Sequence, residues 1–113
     1  MSARKMAYGA VLVMTTLPDE VSARALAQAL VESVLAACVN VLGACRSIYR
    51  WQGAVEEADE VPVLIKTRSE RYAELEAKIL SGHPYQVPEI IVLPVERGLP
   101  AYLAWLDEAT AGP

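Results

Sequence analysis

CVNVLGACRSIYRWQGAVEEADEVPVLIKTR, residues 38–68, is the stretch whose reading decides the fold. Val, Ile, Tyr and Trp pack well on a pleated, half-buried surface, and here they flank Gln52-Gly53, a hairpin turn signal. The stretch therefore reads as two long antiparallel strands. Gly43 marks a bend or bulge in the first. Pro62 removes a backbone donor from the second, so that point is an edge or a bulge.

Working outward toward the N-terminus, Ala10 to Thr15 is a continuous apolar run and reads as a buried strand. Thr16 with Asp19 three residues later resembles a capping box, and Pro18 suits a first helical turn. Ala23, Leu26, Ala27, Leu30, Val31, Val34 and Leu35 then recur at helical spacing, which predicts a helix over roughly residues 19–36. Working toward the C-terminus, Ser69 reads as an N-cap with Glu70 in the first turn. Tyr72, Leu75, Ile79 and Leu80 predict a second helix, and Gly82 suits the left-handed position that ends it. Residues 87–95 read as a short strand and residues 99–109 as a closing helix, with Trp105 expected to anchor it.

The order is βαββαβ plus a C-terminal helix: an α+β, ferredoxin-like split sandwich with a long central hairpin. A single domain spans residues 1–113, with residues 1–6 expected as a flexible tip. Length and an apolar content of 54% suit one packed core. One mismatch bears on assembly. A strand of about 14 residues spans roughly 46 Å, whereas a helix of about 17 covers roughly 26 Å. The hairpin overhangs its helices, and Tyr49 and Trp51 near its tip are expected at an interface with another copy.

Composition excludes several classes. With 14 acidic and 10 basic residues the formal charge is -4, which argues against a nucleic-acid partner. No apolar run reaches the about 20 residues of a membrane span. The N-terminal apolar run is short and lacks a small-residue cleavage site, so it reads as a strand rather than a signal peptide. Cys38 and Cys45, on one extended strand, would be roughly 23 Å apart, too far for a disulfide. Free thiols fit a reducing cytoplasm. Phosphate loops and nucleophile elbows are absent, so no enzyme is expected.

Five residues carry the remaining chemistry. His83, the only histidine, has three readings: a ring that bonds a backbone carbonyl and fixes the turn into Pro84, a metal ligand or anion contact, and a catalytic base. Glu89 opens an apolar strand and needs solvent or a partner. Lys66, at the end of VPVLIK, is that candidate. The pair reads either as structural or as part of a small ligand cleft of Lys66, Tyr85 and Glu89, with Trp51 from a neighbour.

The segments SIYRWQG (47–53), EVPVLIKT (60–67), HPYQVPEII (83–91) and YLAWL (102–106) resemble the CutA divalent-cation tolerance family. Residues 16–40 share its shape, so the resemblance covers nearly the whole chain. It implies a ferredoxin-like subunit in a homotrimer, a link to copper and other divalent cations, kinship with the trimeric PII signalling proteins, and no defined reaction. Thr15 and Gly82 stand where copper-linked members carry cysteine and histidine, and His83 matches the ligand pattern. The expectation is weak copper(II) binding through His83 and Glu89. The alternative is a PII-like small-molecule or protein-binding scaffold with no metal role.

Overall fold

A computed structural model describes residues 9–112; the flexible tip expected at residues 1–6 lies outside them. The elements run β1 (Ala10–Leu17), α1 (Glu20–Glu32), β2 (Cys38–Val41), β3 (Cys45–Trp51), β4 (Ala54–Arg68), α2 (Tyr72–Gly82), β5 (Ile90–Pro94) and α3 (Pro100–Ala109). A 3-10 turn, Ser69–Arg71, leads into α2.

The sheet is antiparallel, in the order β2-β4-β1-β5, with β3 paired to the far half of β4. This is the arrangement expected from the sequence. Side chains alternate across it. Val11, Val13 and Leu17 of β1 and Val61, Val63 and Ile65 of β4 face one side. There they meet Ala23 and Leu30 of α1 and Leu75 and Ile79 of α2. On the opposite side α3 covers only one end, where Leu103 and Leu106 pack on Ala10. Trp105 is not the anchor: it is exposed and lies against Tyr102, with ring centroids 5.4 Å apart.

The hairpin is divided where the glycine predicts. Val41 pairs with Val63 and Cys45 with Glu60, so the first strand carries one extra residue across that interval. That is a bulge. Pro62 sits directly opposite it. Its carbonyl accepts from the Leu42 N–H at 2.9 Å, so its missing donor also points at the bulge, where the ladder is already broken. Gln52 and Gly53 both have positive φ, 51° and 83°, the signature of a two-residue type I′ turn that matches strand twist.

Several boundaries differ from expectation. Thr16 belongs to β1 and is buried; the cap of α1 is Asp19, whose carboxylate accepts from the Ser22 N–H at 2.8 Å. That bond, first among its causes, lowers the Asp19 pKa below the usual carboxylate value. α1 stops at Glu32, short of residue 36. Gly82 ends α2 without a positive φ. The helix stops because His83 is extended (φ -80°, ψ 133°), as the residue before a proline prefers.

The C-terminus is clamped. Arg68 donates to the Thr110 hydroxyl and carbonyl, both at 2.8 Å, and Arg71 donates to the same carbonyl at 2.9 Å. Two guanidinium groups thus meet the unpaired carbonyl end of α3, where positive charge is favoured.

Candidate functional site

A cleft of about 710 Å³ opens between the hairpin and the segment that follows His83. Register builds its wall. Cys45 faces Glu60, Ser47 faces Ala58 and Tyr49 faces Glu56 across the β3–β4 ladder, and paired residues share a face. Odd positions of β3 and even positions of β4 therefore line one side. Tyr85, Gln86, Val87 and Glu89 line the other.

Glu60 lies at the inner end. It accepts from the Thr16 hydroxyl at 3.2 Å and from the Tyr85 hydroxyl. Both partners donate, so the carboxylate accepts two hydrogen bonds that fix its position. Burial, and after it the bond to Glu60, pushes the Tyr85 pKa up to about 12. The phenol stays protonated and keeps the carboxylate in place.

His83 anchors the cleft's outer segment from behind. The Tyr85 N–H donates to Nδ1 at 3.1 Å. The ring proton is then on Nε2, which donates to the Thr16 carbonyl at 2.8 Å. One imidazole ties the turn to β1 and fixes Tyr85, whose ring lies 4.8 Å from it. Its solvent-facing side lines a separate groove of about 360 Å³ between α1 and α2, with Leu17, Ser22 and Ile79.

Trp51, Tyr85 and Glu89, expected to share a cleft, do share one, together with Tyr49. Trp51 lines it from its own chain. Lys66 does not join. It sits between Cys38 and Leu12 on the open sheet face. Leu12 in turn pairs with Leu93, and Glu89 lies four residues, roughly 13 Å, further along. The expected Lys66–Glu89 pair is therefore not formed.

His83 and Glu89 do not make a metal centre in the subunit. A ligand nitrogen needs a free lone pair; Nδ1 already accepts a hydrogen bond and Nε2 carries the proton. Among the described residues, no three His, Cys, Asp or Glu stand close enough to hold a metal ion. Thr15, at the position the resemblance gives to a cysteine ligand, is fully buried, and its hydroxyl has no partner.

Thr16, Glu56 and Glu60 went unrecognised in the sequence. The signal for the acids was present: Glu56, Ala58 and Glu60 alternate along a strand, so they share one face. Thr16 carried no such signal, because its partner lies 44 residues away.

The profile described as CutA1 divalent ion tolerance protein matches residues 11–109. The Divalent-cation tolerance protein CutA of Thermus thermophilus is 48% identical over 99 residues, covering 88% of this chain and 96% of that one. A crystal structure described as the stable protein CutA1 from the psychrotrophic bacterium Shewanella sp. SIB1 superposes with a TM-score of 0.89 at 38% identity, covering 92% of this chain and 97% of that one. The protein described as the periplasmic divalent cation tolerance protein CutA from Archaeoglobus fulgidus superposes with a TM-score of 0.86 at 38% identity, covering 89% and 98%.

Proposed function

The chain belongs to the CutA1 divalent ion tolerance family, and from that premise we propose that it acts as a homotrimeric, non-enzymatic tolerance protein that binds copper(II) weakly through carboxylates. The acid-lined cleft carries this reading. Glu56, Glu60 and Glu89 face one space, and no Lys or Arg is among the residues lining it. Copper heads the divalent affinity order at any mixed donor site. The acids do not converge on one point, which makes the affinity modest.

The open sheet face supports the trimer. Leu12, Met14 and Leu64 are only half-buried, and Ile91 and Leu93 are 48% and 47% exposed. Such a contiguous apolar face marks an interaction surface. Tyr49 and Trp51 extend that contact along the overhanging hairpin. A cytoplasmic location agrees with free Cys38 and Cys45. Among the described residues no helix is long and apolar enough to cross a membrane.

Copper calorimetry on wild type and His83→Ala, with the N-terminal amine blocked, tests the reading. The two affinities are expected to agree within about twofold, since the ring is not a ligand. A clear loss of copper affinity in His83→Ala would overturn the carboxylate assignment.

A further inference from the structure

A second hollow lies on the helix-covered side of the sheet, away from the open face assigned to assembly. α1 and α2 both pack there, and they leave between them a groove of about 360 Å³, within the range of small-molecule sites, about 300–1,000 Å³. The sequence explains the gap. Ser22, Ala25, Leu26 and Ala29 line it at i, i+3, i+4 and i+7, a single stripe along α1 about 10 Å long. Two alanines and a serine put little bulk into that stripe. Gly82 ends α2 on the facing side, and a Cβ added there would meet nothing within 4 Å.

The floor is apolar. Leu17 and Ile79 are almost fully buried, and half-buried Leu26 packs against the same core. The polar groups of the lining are already committed, with one exception. The Ser22 hydroxyl donates to the Asp19 carbonyl at 3.1 Å and the Ser81 hydroxyl to the Lys78 carbonyl at 2.8 Å. The His83 ring is tied to the Thr16 carbonyl. The exception is the Lys78 ammonium. Glu74, four residues earlier, is its natural partner on a helix, but Glu74 pairs with Arg71 at 3.1 Å. Among the described residues Lys78 forms no ion pair.

We infer that this groove binds a medium-chain aliphatic carboxylate. Its alkyl chain lies along the alanine stripe over Leu17 and Ile79, and its carboxylate meets Lys78. The apolar floor favours a chain with no polar group along its length. One cation favours one negative end. An alkylammonium of equal length brings like charge to Lys78, an alcohol gains no ion pair, and a dicarboxylate leaves its second charge over apolar walls. The sheet face that carries the assembly contact is the opposite one, so a subunit holds this ligand while assembled.

Calorimetric titration with sodium octanoate, below its micellar concentration, tests this on wild type, Lys78→Gln and Ala25→Leu. Wild type is expected to bind, and affinity is expected to fall about threefold per methylene removed through hexanoate to butanoate, the scale of one methylene leaving water. Lys78→Gln is expected to weaken binding about threefold, as for an exposed ion pair. Ala25→Leu keeps a strong helix former and fills the stripe, so it is expected to weaken binding by about tenfold or more through overpacking. Octylammonium and octan-1-ol are expected to bind more weakly than octanoate. Absence of octanoate binding at millimolar concentration overturns the inference. So does equal or tighter binding of either control, an affinity independent of chain length, or a wild-type affinity in either variant. Thermal melting and light scattering on the same samples separate a filled groove from a lost fold or assembly. Should Ala25→Leu fail to fold, Lys78→Gln and the chain-length series decide, since Lys78 is exposed. Copper binding and trimer mass are separate measurements and survive failure of this inference.

Discussion

Thr15 shows how much one oxygen can weigh. Its hydroxyl is buried with no partner, and an unsatisfied buried donor costs about 1–3 kcal/mol. Thr15→Val keeps the shape and removes that group, so it is expected to stabilise the protein by about 1 kcal/mol in urea denaturation; a loss of stability would show that the hydroxyl is solvated or paired. Tyr85 gives a pH signature. Its phenol holds its proton to about pH 12 in the fold, against an ordinary value of 10.0. Above pH 10 the unfolded chain releases a proton that the folded one keeps. Stability is therefore full below about pH 10 and falls as pH rises toward 12. Tyr85→Phe removes this component, so the stability gap between wild type and variant is expected to narrow between pH 9 and 11.5. At this scale the sequence was only partly legible. The carbonyl-bonding reading of His83 was available from its place before Pro84, but the partner, Thr16, is 67 residues away, beyond any local pattern. Lys66 and Glu89 looked complementary in charge, yet strand register, which composition does not report, keeps them apart.

Elements were legible where the pattern and the backbone agreed. The turn at Gln52-Gly53 and the bulge at Gly43 followed from local chemistry. The end of α1 did not, because apolar spacing continues through Val34 and Leu35 after the helix has stopped. There the Leu35 N–H bonds the Leu30 carbonyl and the Val34 N–H the Val31 carbonyl, the pair of bonds that defines a Schellman stop. Glycine normally fills the left-handed position of that motif; here a β-branched residue does, Val34 at φ 65°. A left-handed conformation costs an L-residue roughly 1–2 kcal/mol. The Val34 side chain also packs where Gly112 comes close, so part of the gain on removing it is offset. Val34→Gly is expected to raise stability by about 1 kcal/mol in chemical denaturation, and a clear loss would mean that its packing outweighs the strain.

The whole molecule is elongated, 43 × 31 × 23 Å, because β4 runs 15 residues while α1 has 13. The first half of β4 is exposed and the second alternates between buried and half-buried. The overhang read from the sequence is thus present, and with it an uncovered apolar face. Light scattering is expected to give about three times the 12.2 kDa subunit mass, with a melting temperature that rises with protein concentration. A native-like monomer with a concentration-independent melt would remove the trimer. The sheet order itself was legible, since a βαββαβ succession leaves few ways to cover one face. The same order sets a timetable for synthesis. β1 lies between β4 and β5, so the strand made first waits for both neighbours. β5 ends at Pro94, 77 residues after Leu17. At roughly 5–20 residues per second on the ribosome, the apolar ribbon VLVM of β1 stays without its full complement of partners for roughly 4–15 s. During that interval the nascent chain presents an open strand to whatever it meets, which makes this segment the natural client of a ribosome-associated chaperone.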